Sequence, residues 1–180
     1  MEIKSFEKDN ISFVHAAADI LADNFPHAYG DCALEEMEEC LKEERIALMA
    51  VEDGQLLGFA GAILQYDYAW ELHPLVVRKS SQLRGIGTGL VRALERECAA
   101  RGALTLYLGT DDEFGQTSLG DTDLYENTYG KIQDIKNLKR HPFEFYQKLG
   151  YRIVGVIPDA NGPGKPDIFM AKRIGTAGKR

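Results

Sequence analysis

The stretch PLVVRKSSQLRGIGTG, residues 74–89, is the most informative part of this 180-residue sequence. It joins a predicted strand, Ala69–Val77, to a helix predicted over Gly85–Arg101, and its end has glycine at every other position from 85 to 89. Glycines let successive backbone N–H groups converge, and the start of a helix adds partial positive charge. The turn Gln82–Gly89 is therefore predicted to bind an anion such as a pyrophosphate, the alternative being a purely structural glycine turn.

The spacing within this turn differs from that of two common phosphate-binding motifs. A dinucleotide fingerprint has other glycine spacing and an acidic residue about 20 residues later, and a Walker A loop has Gly-Lys-Ser/Thr. In the present prediction the guanidinium of Arg84 adds a charge-assisted contact. The residues of the turn predicted to bind the ligand are Gln82, Arg84, Gly85, Ile86, Gly87, Thr88 and Gly89.

Pro74 interrupts the strand that precedes the turn. A proline removes a donor from the ladder and is excluded from a central strand unless the strand bulges or separates from its neighbour. Separation would leave backbone groups of Leu75, Val76 and Val77 available to an extended ligand with amides, such as the pantetheine arm of CoA. The alternative is a simple edge strand.

The whole chain, residues 1–180, is predicted to form one mixed α/β domain. Apolar residues at helical spacing predict a helix over Ile11–Phe25 and a second, Glu-rich helix capped by Asp31. Asp53-Gly54 predicts a hairpin between two strands. Further strands and helices are predicted over Arg45–Glu52, Gln55–Tyr66, Ala103–Gly109, His141–Leu149, Tyr151–Ile157 and Asp167–Lys172. The pattern over residues 123–137 is ambiguous, and a helix is the better interpretation.

Charge and composition exclude several classes of partner. With 21 basic and 28 acidic residues the formal net charge is -7, which argues against nucleic acid and would suit a cationic substrate. We expect no membrane span and no signal peptide, because the sequence lacks a long apolar segment. Cys32, Cys40 and Cys98 have no metal-ligand spacing and are expected to be reduced thiols of a cytoplasmic protein.

Val76-Val77 followed by QLRGIG resembles the acetyl-CoA motif Gln/Arg-x-x-Gly-x-Gly/Ala of the GCN5-related N-acetyltransferase (GNAT) superfamily. The segments WELHPLVV, YLGTDD, TDLYENT, HPFEFYQKLGYRIVGVIPDANG and KPDIFMAK resemble enterococcal-type aminoglycoside 6′-N-acetyltransferases over nearly the whole chain. The resemblance implies a GNAT-like mixed, V-shaped β-sheet flanked by helices, with acetyl-CoA in the cleft. It also implies a homodimer and direct attack of an amine on the thioester.

Three tasks of that reaction are assigned to residues. Glu71 matches the acidic position of the family and would take the proton of the ammonium, directly or through water, while His73 would share the relay or orient the substrate. The backbone N–H of Leu75 would stabilise the oxyanion, because Pro74 has none to offer. Tyr146 matches the tyrosine that protonates the CoA thiolate. The alternative for Glu71 is a side chain that faces solvent. For His73 it is a structural role, and for Tyr146 it is a position in the core.

An aminoglycoside carries several ammonium groups, so its site needs carboxylates and hydrogen-bond acceptors. Asp111 and Asp112 follow a predicted strand that should border the acceptor cleft. The family's loop approaches the same cleft and commonly has Trp where this chain has Phe25. The predicted substrate contacts are Phe25, His27, Tyr29, Glu71, Asp111 and Asp112.

The sequence thus predicts an aminoglycoside 6′-N-acetyltransferase that confers aminoglycoside resistance, with acetyl-CoA as co-substrate and no metal. One alternative is a GNAT enzyme for another amine, such as a polyamine or a protein N-terminus. A second alternative is a non-catalytic acyl-CoA-binding module on the same scaffold. Retention of Glu71, Tyr146 and the intact turn together speaks against that second alternative.

Overall fold

The computed structural model describes residues 1–176, which form two compact units. The first comprises Met1–Leu106 and the segment that starts at Ile174, and the second comprises Tyr107–Arg173. The single domain predicted over residues 1–180 stays a prediction, and residues 177–180 lie outside the described part. No helix in the described part is long and apolar enough to cross a membrane.

The first unit contains four strands in the order β1-β2-β3-β4, each antiparallel to its neighbour. A single 3-10 turn, Lys79–Ser81, lies between β4 and the next helix. The elements of this unit are β1 (Glu2–Ser5), α1 (Ile11–Asn24), α2 (Pro26–Tyr29), α3 (Ala33–Cys40), β2 (Ile46–Glu52), β3 (Gln55–Tyr66), β4 (Ala69–Val77) and α4 (Ile86–Ala100).

The predicted hairpin between β2 and β3 is confirmed. Asp53 and Gly54 both have positive φ, 49° and 76°, as a two-residue type I′ turn requires. The register pairs Glu52 with Gln55 on either side of this turn. The short local signal was sufficient here because the turn itself fixes the pairing of the strands.

The two predicted N-terminal helices are present, but the cap of the second differs from the prediction. The side chain of Asn10 accepts a hydrogen bond from the Phe13 N–H and caps α1. The prediction that Asp31 caps the next helix is wrong, because the N-cap residue of α3 is Cys32, which makes no side-chain cap hydrogen bond. A single helical turn, α2, follows Phe25.

Both faces of the four-stranded sheet are covered. Buried residues of α1 and α3 form one core with Met49, Phe59 and Val76 from the sheet. On the other face Gly89 of α4 packs close to Ile3 of β1. The apolar positions of α4 are buried, as its helical spacing predicts.

The second unit is smaller. Its strand β7 lies between β5 and β6, and the pairing of β6 with β7 is antiparallel. Only one short helix forms in the ambiguous segment 123–137. The elements of this unit are β5 (Thr105–Asp111), α5 (Thr128–Gln133), α6 (Phe143–Lys148), β6 (Arg152–Ile157) and β7 (Asp167–Arg173). The first two residues of β5 belong to the first unit.

Candidate active site

A bulge in β4 determines where the predicted catalytic side chains point. Leu72 pairs with Ala62 and Leu75 with Ala60, so His73 and Pro74 together oppose Gly61 alone. The peptide bond between His73 and Pro74 is cis. A Cβ on Gly61 would lie 2.5 Å from the His73 carbonyl oxygen, so glycine is required where the bulge approaches β3.

The bulge changes which residues share a face. Because Ala60 and Ala62 point to the same side, their partners Leu72 and Leu75 also share one face although they are three residues apart. Glu71, which pairs with Ile63, therefore lies on the face of Val76, which pairs with Phe59. This is the face covered by α1 and α3. Simple alternation would have put Glu71 and Leu75 together.

Two partners hold the polar side chains of this segment. His73 Nε2 lies 3.3 Å from Oε1 of Glu36 on α3, an ion pair when the imidazole is protonated. Gln65 Nε2 donates to Glu71 Oε2 over 2.9 Å. Both predicted residues are partly exposed, so the fold orients them without removing them from solvent.

After the bulge, alternate backbone groups of β4 point away from β3. The Arg78 N–H donates to the Leu57 carbonyl of β3, and an antiparallel ladder uses every second residue in this way. Val76 accordingly bonds towards β3, whereas Leu75 and Val77 direct their N–H and C=O groups to the opposite edge. The predicted oxyanion donor, the N–H of Leu75, is one of these groups.

The carbonyl of Val77 is used by the start of the glycine turn. It accepts from Gln82 Nε2 over 3.2 Å and from Asn24 Nδ2 over 3.3 Å. Gln82 Nε2 also lies 3.1 Å from Asn24 Oδ1. Within the protein the Gln82 side chain therefore joins the end of α1 to the end of β4.

The start of α4 has unused backbone donors. Gly85 is the N-cap residue with φ 82°, and it makes no side-chain cap hydrogen bond. The first bond inside the helix is from the Gly89 N–H to the Gly85 carbonyl, so the N–H groups of Ile86, Gly87 and Thr88 have no intrahelical partner. Space is open around Gly85, where a Cβ would meet nothing within 4 Å. These features fit a pyrophosphate.

Other residues of the turn have contacts of their own. Ile86 is buried and anchors the first turn of α4, whereas Leu83, at φ 63°, is fully exposed. The absent side chain of Gly89 makes room for Ile3, whose Cδ1 would be 2.8 Å from a Cβ there. Gly89 is thus a packing position with a satisfied N–H.

Arg84 lies next to a carboxylate that the sequence analysis did not single out. Its Nη2 is 2.6 Å from Oε2 of Glu52, at the end of β2. The hydrogen bond from Arg84 is the main reason that the pKa of Glu52 lies below its usual value. The guanidinium is about half exposed, so the pair lies at the surface near the free donors of α4.

The aromatic residues before α3 form a small exposed group. Phe25 and Tyr29 make an edge-to-face contact with ring centroids 6.2 Å apart. Phe25 and His27 are exposed, while Tyr29 is half-buried and packs against the core. Tyr29 is therefore held by the fold, and Phe25 presents its ring to solvent.

In the second unit the two predicted aspartates have different surroundings. Asp111 is exposed, and its carboxylate accepts from Asn161 Nδ2 over 2.5 Å. Asp112 is completely buried. Its Oδ1 accepts from the Gln116 N–H, and its Oδ2 accepts from the N–H and the hydroxyl of Thr117. This carboxylate shapes the loop, unlike the substrate-facing position that the sequence analysis gives it.

His141 closes the same loop. Its Nδ1 accepts from the Phe143 N–H over 3.2 Å, so Nε2 carries the hydrogen and donates to the Asp111 carbonyl over 3.0 Å. Burial lowers the pKa of His141 below its ordinary value. The imidazole is neutral in this arrangement and acts as a structural link.

Tyr146 lies on α6 with only 7% of its surface exposed. Its ring makes edge-to-face contacts with Phe145 and Tyr151, at centroid distances of 4.9 and 5.7 Å. Burial raises the pKa of the Tyr146 hydroxyl well above its ordinary value, because a phenolate would be poorly solvated there. The hydroxyl therefore stays protonated, as a proton donor must.

Three residues with contacts to the predicted site were missed from the sequence. Asn24 contacts Gln82, Glu36 lies beside His73, and Glu52 pairs with Arg84. Each is far in sequence from its partner. Glu36 is one of several glutamates on a helix, and no local pattern separates it from its neighbours. Only the fold identifies these contacts.

Comparison with known proteins gives a family match and full-length structural relatives. The family model described as "Acetyltransferase (GNAT) family" matches residues 14–128. An aminoglycoside 6′-N-acetyltransferase in complex with coenzyme A is 51% identical with a TM-score of 0.97, over 99% of this chain and 100% of that one. A comparison with curated protein sequences finds no match.

Two further solved structures extend this likeness. The aminoglycoside 6′-N-acetyltransferase from Enterococcus faecium is 50% identical with a TM-score of 0.94. An aminoglycoside 6′-acetyltransferase type Ii is 44% identical with a TM-score of 0.79. In both cases the match covers 99% of this chain and 100% of the other.

Proposed function

Because this chain belongs to the acetyltransferase (GNAT) family, we propose that it transfers the acetyl group of acetyl-CoA to the 6′-amine of aminoglycosides by direct attack. The observation that carries the proposal is the identity of 51% and 50% to two aminoglycoside 6′-N-acetyltransferases along their entire length. A second observation supports acetyl-CoA as the acetyl donor, because the backbone N–H groups left free at the start of α4 fit its phosphates.

Acetyl-CoA would bind along β4 and the turn before α4. The pyrophosphate would accept from the N–H groups of Ile86, Gly87 and Thr88, with Gly85 leaving space for it. The amides of the pantetheine arm would pair with the N–H and C=O groups of Leu75 and with the N–H of Val77, which point away from β3. Val76, Gln82 and Gly89 would support this site through packing and the contacts described above.

The residues of the first unit would carry out two of the three chemical tasks. Glu71 takes the proton released by the ammonium, directly or through water, and His73 shares that relay. The free amine then attacks the thioester carbon, and the backbone N–H of Leu75 donates to the oxyanion that forms. The register places Glu71 on the face covered by α1 and α3, and His73 contacts Glu36 of α3, which supports this division.

Tyr146 would carry out the third task. When the C–S bond breaks, the CoA thiolate takes a proton, and a phenol that stays neutral is a suitable donor. The raised pKa of Tyr146 supports the role, since the hydroxyl keeps its proton across the physiological pH range. Buried aromatic contacts fix the ring without using the hydroxyl.

The acceptor would be recognised by charge and by aromatic contact. Asp111 offers an exposed carboxylate, and Phe25, His27 and Tyr29 offer a partly exposed aromatic group. The net charge of -7 favours a polycation. Asp112 would act indirectly, by holding the loop that follows Asp111.

The proposal includes a homodimer in the cytoplasm that confers aminoglycoside resistance, for which the family resemblance is the support. The test is an acetyl-CoA assay with aminoglycosides, polyamines and peptides, with mass spectrometry to locate the acetyl group. We expect acetylation at the 6′-amine and no reaction with an aminoglycoside that lacks it. A much higher kcat/KM for a polyamine or peptide would overturn the substrate assignment, and tight acetyl-CoA binding without any turnover would indicate a binding module.

A further inference from the structure

Glu36 has contacts that set it apart from the other glutamates of α3. Its Oε1 lies 3.3 Å from Nε2 of His73, and its side chain is only 21% exposed. The neighbouring glutamates Glu35 and Glu38 are exposed. The bulge in β4 contributes to this contact, because it directs the segment before Pro74 towards the α1–α3 side of the sheet.

Cys40, one turn later on the same helix, holds the same oxygen. Its Sγ lies 3.5 Å from Glu36 Oε1 and donates to it. Burial, and to a lesser extent the Glu36 carboxylate, raises the pKa of the Cys40 thiol to about 12, so the thiol keeps its hydrogen. The same oxygen of Glu36 is thus held by the buried Cys40 on one side and contacts His73 on the other.

A carboxylate beside Nε2 determines what the other ring nitrogen can do. A carboxylate only accepts, so the neutral imidazole carries its hydrogen on Nε2 and leaves the lone pair on Nδ1. A proton taken up at Nδ1 then produces an imidazolium paired with Glu36. The carboxylate and imidazole of a serine-protease triad are arranged by the same logic.

We propose that Glu36 is a positioning residue that fixes the tautomer of His73, so that Nδ1 takes up the proton released by the acceptor amine. This inference rests on the proposed acetyl transfer. The proton leaves the ammonium through Glu71 and passes along the relay to Nδ1 of His73. The freed nitrogen lone pair then forms the bond to the thioester carbon, and the C–S bond breaks. The CoA thiolate takes its proton from Tyr146. The attacking nitrogen loses its second proton as the amide forms, and this proton returns through water to the Tyr146 phenolate, while His73 later releases its own proton to water.

The first test needs no substrate. The chain has four histidines, so long-range ¹H–¹⁵N spectra of the imidazoles can be assigned, with His73→Gln identifying its own signals. We expect His73 in the wild type to be protonated at Nε2 when neutral. A neutral His73 protonated at Nδ1 would overturn the proposal, whatever the protein acetylates.

The second test uses Glu36→Gln, with Glu38→Gln as the matched control on the same helix. We expect Glu36→Gln to shift the His73 signals and to lower kcat about tenfold at an unchanged KM for acetyl-CoA, an effect of the size seen for a supporting residue. Glu38→Gln removes the same charge from an exposed site and should do neither. An equal loss in Glu38→Gln would mean that only the overall charge matters.

A double-mutant cycle separates a role through His73 from a general structural role. In the His73→Gln background, Glu36→Gln should cause no further loss of kcat. An independent tenfold loss in that background would overturn the proposal. Absence of aminoglycoside turnover in the wild type would instead remove the proposed function, while the imidazole spectra would still report on the tautomer.

Discussion

The turn before α4 and the loop after β5 are both rich in polar groups, and both were predicted to bind a ligand. In the turn, the first backbone N–H groups of α4 have no intrahelical partner and Gly85 leaves open space. In the loop, the Asp112 carboxylate is buried and already accepts from Gln116 and Thr117. A polar residue can bind a ligand only with hydrogen-bonding capacity that the fold has left unused.

The largest effect that tests this comparison is expected from Asp112→Ala. The change leaves three donors without their acceptor, two of them buried and one partly buried, which costs about 3–5 kcal/mol of unfolding free energy. Urea unfolding measures the loss, and Asp111→Ala, at an exposed position, should cost less than about 1 kcal/mol. A stable Asp112→Ala variant with a raised KM for the amine would show that Asp112 faces the substrate.

The next largest effect is expected from Tyr146→Phe. This variant tests whether a buried group of the second unit takes part in the chemistry. We expect kcat to fall about 100-fold with acetyl-CoA affinity nearly unchanged, because the variant loses a proton donor and little contact area. Phe145→Leu, on the same helix, is the control for altered packing. Wild-type turnover of Tyr146→Phe across the pH range would remove the hydroxyl from the mechanism.

Gly85→Asp tests the turn before α4, where the backbone N–H groups are free to bind a ligand. A carboxylate at the N-terminus of α4 would compete with the phosphates, and we expect acetyl-CoA to bind about 30-fold more weakly, or about 2 kcal/mol. Gly102 at the other end of this helix also has positive φ and open space. Gly102→Asp introduces the same backbone strain and should leave binding unchanged, as calorimetry can measure. Equal losses in both variants would point to strain alone.

The smallest expected effect is the pH dependence contributed by His141. Its pKa is lowered in the folded protein, so the unfolded chain binds a proton more readily as pH falls. The unfolding free energy contributed by His141 is complete above about pH 6.5 and is lost below it, at no more than about 1.4 kcal/mol per pH unit. Urea unfolding measured between pH 7.5 and 5.5 gives the unfolding free energy at each pH. This free energy should fall more with decreasing pH in His15→Gln, which keeps His141 and loses only an exposed histidine, than in His141→Gln. Identical slopes would contradict the assignment.

Much of the fold was predictable because its signals are local. The GNAT-like mixed α/β fold is confirmed by full-length likeness to solved structures. The turn at Asp53-Gly54 and the helix after Gly85 depend on backbone preferences of a few residues. The cap of α3 was less predictable, since Asp31 and Cys32 are adjacent and only the path of the chain decides between them.

The candidate site was predictable only in part. The sequence indicated Gly85 and the start of α4, because a glycine turn before a helix creates free donors by itself. It did not indicate Glu36 or Glu52, because their partners His73 and Arg84 are distant in sequence. It also did not distinguish exposed Asp111 from buried Asp112, since adjacent residues of a strand end differ only in the side they face.

The sequence by itself determined that this protein has a helix with an open, glycine-capped N-terminus after an interrupted strand, because both follow from the backbone chemistry of Gly and Pro. Tertiary structure alone decided which side chains meet there. The bulge at His73 and Pro74 shifts the alternation of β4 by one residue and places Glu71 on the face of α3. Face and partner depend on register, and register is set by contacts between strands that are far apart in the chain.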